Sequence, residues 1–170
     1  YLNEYKSAIS LPGMDFNLNT VQRMSIVACG TSHYAGMIAK YWLEGFSGLP
    51  VNIDIASEYR YRNAPLSRDE LALFISQSGE TADTLAALRL AKDMGYKATL
   101  TICNSAGSSL VRESDMAYMM KAGAEIGVAS TKAFTVQLAG LLMLTTAIGR
   151  HNGMSEEMQA AITQSLQSMP

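Results

Sequence analysis

Apolar residues gather into five short runs along this chain: Met24–Cys29, Val51–Ile55, Leu71–Ile75, Ala98–Cys103 and Met116–Met120. Short runs of this kind, bounded by turn residues, read as strands of a buried sheet. Between them lie segments with helical spacing, such as Leu85, Leu88, Ala91 and Lys92. Strand and helix in alternation predict an α/β fold: a three-layer sandwich in which helices cover both faces of a five-stranded parallel sheet. The expected strand order is the flavodoxin-like 2-1-3-4-5.

Turn and cap residues set the boundaries. Ser32 is positioned to cap a helix that runs through Trp42 to Phe46 and stops at Gly48-Leu49-Pro50. Thr81 or Ser78 begins the next, which Gly95 ends. A short helix is expected after Ala56, with Ser57 and Glu58 at its start and a turn at Asn63-Ala64-Pro65. Another helical turn is expected over Ser109–Ser114. A glycine-punctuated loop, Ala122–Ala129, leads to Ser130, which would cap the long uncharged helix Ala133–Gly149 between Lys132 and Arg150. That helix is short for a membrane span and contains Thr135, Gln137, Thr145 and Thr146, so it reads as a buried helix at a domain or subunit contact. The tail Ser155–Met169 reads as amphipathic, with Met158, Ile162 and Leu166 on one stripe, set off by Asn152-Gly153. The domain plan is thus an N-terminal linker or helix over residues 1–20, the α/β domain over 21–150, and a helical linker over 151–170.

Composition narrows the partners. The 170 residues carry a formal net charge of −2, so no basic field invites nucleic acid or an anionic membrane. A small anionic ligand would have to be held by local dipoles. Cys29 and Cys103 lack metal-ligand spacing and read as reduced, buried thiols, with no metal site. No basic segment followed by an apolar stretch opens the chain, which points to a cytoplasmic protein, and the start at Tyr1 suggests an excised fragment.

The chemistry-bearing residues follow the first and third strands. Cys29-Gly30-Thr31-Ser32 and Ser76-Gln77-Ser78-Gly79-Glu80-Thr81 each open a helix. In the expected strand order both loops border the point where the winding reverses, the usual ligand crevice of an open α/β sheet. A helix start offers unpaired N–H groups and about half a positive charge. Ser and Thr add donors, and Gly30 and Gly79 let a phosphate approach the backbone. Capping alone would need about one hydroxyl per helix, and here there are five hydroxyls plus Gln77. Neither GxxxxGK[ST] nor GxGxxG is matched, which disfavours a nucleotide P-loop or a dinucleotide fingerprint. The cluster Asn104–Ser109 reads as caps and turn beside the crevice. His33 follows Ser32 directly, but helix neighbours do not face each other and no GxSxG elbow is present, so it reads as a packed or surface histidine. Glu125 and Lys132 flank the glycine loop and read as solvated or paired.

Three stretches in this order, Ala28–Ser32, Ser76–Thr84 and Glu125–Thr135, together with Ile55–Arg62, are similar to the first of two sugar isomerase (SIS) domains of the glucosamine-6-phosphate synthase family. The similarity runs from about Met24 to about Arg150. It implies the reaction of fructose 6-phosphate and glutamine to glucosamine 6-phosphate and glutamate, with no metal or organic cofactor. It further implies that Ser76, Ser78 and Thr81 bind the phosphate with help from Gln77, and that Thr31, Ser32 and Val128 contact the sugar. No catalytic residue falls in this chain under that resemblance: a glutaminase domain would precede it, and a second SIS domain carrying the acid-base groups would follow it. The family forms homodimers. The alternative is a non-catalytic SIS-domain sensor of sugar phosphates, since such domains also occur in regulators.

Overall fold

The structure is a computed structural model that describes residues 2–3, 8–9, 17–63, 65, 69–123 and 131–169. Its centre is a parallel sheet of five strands: β1 (Arg23–Ala28), β2 (Val51–Ile55), β3 (Glu70–Ser76), β4 (Ala98–Cys103) and β5 (Met116–Met119). Hydrogen-bonded neighbours run β2-β1-β3-β4-β5, the order expected from the sequence. Ala28 pairs with Ile55 on one side and Ile75 on the other, so the carboxyl ends of β1, β2 and β3 lie level.

Alternate residues of each strand bury opposite faces. Met24, Ile26 and Ala28 join Leu71, Leu73, Ile75, Leu100 and Ile102 in one core, which α1 (Gly30–Ser47) covers with Ala35, Ala39 and Leu43 and α5 (Thr131–Gly149) covers with Leu141, Leu144 and Ile148. Val27, Ala72 and Phe74 face the other way, into a second core. That core is closed by Ala56 and Tyr59 of α2 (Ala56–Tyr59), Ala87, Leu88 and Ala91 of α3 (Ala82–Met94), and Leu110 of α4 (Ser109–Glu113). Burial on both faces is why the strands read as nearly continuous apolar runs. Each fully buried large side chain, Phe74 or Leu73 for instance, contributes about 1.5–3 kcal/mol.

Gly48 and Gly95 end α1 and α3 in the left-handed conformation, as their positions suggested. The expected cap of α1 is corrected. Cys29 occupies the N-cap position and Ser32 is the third residue of the helix, which turns its side chain to other partners.

By length and composition α5 could cross a membrane, but half of its apolar window is buried inside the fold. It packs along α1, and Ala133, Gln137, Gly140, Leu141 and Leu144 recur on its buried side. Its expected cap, Ser130, lies outside the described residues. The amphipathic tail forms α6 (Glu156–Gln167), capped by Ser155, whose hydroxyl accepts the Met158 N–H at 3.2 Å. Ile162 and Leu166 are buried against Ala139, Leu142 and Met143 of α5, whereas Met158, expected on the same stripe, is 44% exposed. Within residues 1–20, Leu2–Asn3 pairs antiparallel with Ala8–Ile9, and Leu18–Thr20 makes one turn of 3-10 helix.

Candidate functional site

The loops after β1 and β3 open into one cleft of about 150 Å³, lined by Cys29, Ser32, Ile75, Ser76, Gln77, Ser78, Thr81 and Thr84. It sits where the winding reverses, between helices that cover opposite faces of the sheet. Of the residues singled out in the sequence, Ser32, Ser76, Gln77, Ser78 and Thr81 come together here. Thr31 is exposed at the start of α1 and does not line the cleft. Val128 and Glu125 lie outside the described residues, and Lys132 is exposed on the first turn of α5.

The helix starts are left open towards the cleft. Neither Cys29, the N-cap of α1, nor Thr81, the N-cap of α3, makes a side-chain capping bond. Their first-turn N–H groups therefore keep the partial positive charge of the helix end without an internal counterpart. Gly30 begins α1 at φ +57° and Gly79 turns the β3 loop at φ +69°, conformations in which a Cβ would be strained.

The hydroxyls obey one pattern. Ser76 Oγ accepts the Gly79 N–H at 3.0 Å, and Ser78 Oγ accepts the Glu80 N–H at 3.2 Å. Ser32 Oγ accepts Nε2 of Gln137 at 2.9 Å. Each serine oxygen is thus fixed as an acceptor, which leaves its own O–H free to donate. None of the three protons has an acceptor among the described residues. Three such donors beside two open helix starts form a neutral anion cradle. No carboxylate, imidazole or amine lines it among the described residues.

Two participants were not legible in the sequence. Thr84, one turn into α3 from Thr81, is 1% exposed, and its Oγ1 has no hydrogen-bond partner among the described residues. Its spacing of three from Thr81 on one helix was the available signal. Gln137 reaches Ser32 from 105 positions away, and only its polarity inside an apolar helix hinted at a role. The Asn104–Ser109 cluster holds the cradle from behind. Ser108 packs against Gly79, and Asn104 accepts the Ala122 N–H and donates to the Gly123 carbonyl. The Ser109 N–H donates to Glu80 at 2.8 Å and, with the nearby Arg112, holds that exposed carboxyl below its ordinary value.

Residues 17–147 match the SIS domain family. The chain is 74% identical over 153 residues to the glutamine–fructose-6-phosphate aminotransferase (isomerizing) of Shewanella oneidensis, covering 90% of this chain and 25% of the relative. The enzyme of the same name from Idiomarina loihiensis is 59% identical, with the same coverage. The chain therefore spans about a quarter of the length of these curated relatives. Among solved structures, the C-terminal domain of glucosamine-fructose-6-phosphate aminotransferase from Francisella tularensis superimposes with a TM-score of 0.89 at 46% identity, covering 95% of this chain and 47% of that one. With the family matched over most of its length, and with the sheet order and switch-point cleft in place, the chain belongs to the SIS domain family.

Proposed function

We propose that this chain is the sugar-phosphate-binding half of the isomerase part of an enzyme that makes glucosamine 6-phosphate from fructose 6-phosphate and glutamine. The observation that carries the reading is the set of three serine protons, on Ser32, Ser76 and Ser78, left without acceptors among the described residues, beside two uncapped helix starts. A phosphate dianion supplies acceptors to Ser76 and Ser78 and a sugar oxygen supplies one to Ser32, and helix N-termini favour the phosphate charge without a lysine. The names of the relatives support fructose 6-phosphate as the substrate.

In this reading Ser76, Ser78 and Thr81 hold the phosphate, Gln77 assists, and Ser32 and Val128 face the sugar, which Thr31, at the exposed start of α1, meets from outside the cleft. Isomerisation moves a proton between adjacent carbons, which needs an acid-base group and a substrate held still. The cleft supplies the second, since gripping the non-reacting phosphate fixes the distant carbons in place. The proton-moving groups come from a second SIS domain, ammonia comes from a glutaminase domain, and residues 151–170 lead from this domain towards its partner half. The full protein acts in the cytoplasm as a homodimer, without metal or organic cofactor.

Titration of fructose 6-phosphate into the chain tests the proposal. Replacing Ser76 and Thr81 by alanine is expected to weaken binding at least tenfold, on the order of 1.4 kcal/mol. Unchanged affinity overturns the assignment.

A further inference from the structure

Gln137 is 1% exposed in an otherwise apolar helix. Its Nε2 donates to Ser32 Oγ at 2.9 Å, while its Oε1 is buried without a hydrogen-bond partner among the described residues. Burying a carboxamide that satisfies only one of its ends is costly, and core packing gives no reason for it. As it stands, the carbonyl and the second N–H are unpartnered among the described residues; turning the amide over would satisfy the carbonyl but orphan both N–H donors, and buried N–H groups go unpaired less readily than carbonyls.

We infer that Gln137 is a positioning residue which commits Ser32 to donate its proton into the cleft. This rests on the proposed reading of the cleft as a sugar-phosphate site. A serine hydroxyl has a single proton, and with its oxygen engaged by an N–H donor it faces the cleft as a donor. The backbone does the same for Ser76 and Ser78, through the N–H groups of Gly79 and Glu80. Ser32 is the third residue of α1, and no backbone N–H donates to it among the described residues. Its donor comes instead from α5, the helix packed along α1. The ligand group that meets Ser32 is consequently an acceptor, a phosphate, carbonyl or ether oxygen. A ligand that offers only a donor at that point is rejected.

Four proteins test this by calorimetric titration with fructose 6-phosphate alongside thermal melts: wild type, Q137M, S32A and the double variant. Q137M keeps the volume and the burial but removes the donor. It is expected to bind about fivefold more weakly with a Tm equal to or above wild type, because the orphaned carbonyl is gone. In the S32A background the same change is expected to add no further loss. Q137L serves as a second variant: it likewise removes the donor and is expected to weaken binding as Q137M does. Wild-type affinity in Q137M, or an equal loss with and without Ser32, overturns the inference. So does a loss that appears only together with a lowered Tm, since that is what simple packing would give. If the S76A and T81A changes weaken binding while Q137M does not, this inference alone fails. If wild type does not bind fructose 6-phosphate, the reading of the cleft fails with it.

Discussion

A β-carbon built on Gly79 would stand 2.1 Å from Ser108 Oγ and 2.5 Å from its Cβ. The loop after β3 and the start of α4 therefore touch through a hydrogen atom's worth of space. Gly79 also holds φ +69°, so an alanine there meets both a clash and backbone strain. G79A is expected to lose about 2 kcal/mol or more of stability and to release the N–H that fixes Ser76. Urea denaturation measures the first and ligand titration the second. A variant with the wild-type midpoint would show that α4 moves aside freely.

Thr84 supplies the opposite case, a buried polar atom whose removal should be harmless to the fold. Its Oγ1 is unpartnered among the described residues at 1% exposure, and valine has nearly the same shape. T84V is expected to leave stability unchanged or raise it by about 1 kcal/mol, because no hydrogen bond is broken and a desolvated hydroxyl is removed. A drop in the denaturation midpoint would reveal a partner that the folded chain supplies in solution.

Acid stability should depend on Asp115. Burial opposes its charge, but the Thr99 hydroxyl at 2.7 Å, the Thr99 N–H at 2.8 Å and Lys92 at 3.3 Å outweigh it and hold the carboxyl below its ordinary value. Glu113 is lowered as well, chiefly by its two hydrogen bonds from Arg89. A carboxylate depressed in the folded state stabilises above its unfolded-state pKa, and that contribution is lost as pH falls through the folded value. Tm is therefore expected to fall below about pH 4, and less steeply in D115N than in wild type. Identical acid limbs would show that Asp115 is not tied to folding.

Gly36 lets α1 lie close on the sheet. A Cβ there would meet Ile26 Cγ2 at 2.9 Å and Ile53 Cδ1 at 3.0 Å. G36A is expected to cost about 1–3 kcal/mol through overpacking, and pairing it with I53V, which drops that δ-methyl, should recover part of the loss. No recovery in the pair would mean that Ile26, not Ile53, sets the spacing.

The five strands, their order and the two polar loops could be read from the chain because each is written in local residues. Strands buried on both faces become apolar runs, and helix starts gather hydroxyls. The use made of those hydroxyls could not be read. Ser32 looked like a cap, yet its oxygen is occupied by Gln137, a partner 105 residues away, and Thr81 holds the cap position of α3 without a capping bond. The support that Ser108 gives Gly79 was equally hidden, since it depends on how two loops pack and not on any periodicity. Local pattern names the groups; only the assembled sheet ends say which atom each one faces.

Because the cleft is bounded by α1 on one side of the sheet and α3 on the other, whatever lodges there leans on both helical layers at once. Occupancy should consequently slow amide hydrogen exchange in the first turns of the two helices together, so that segments on opposite faces of the sheet report a single event.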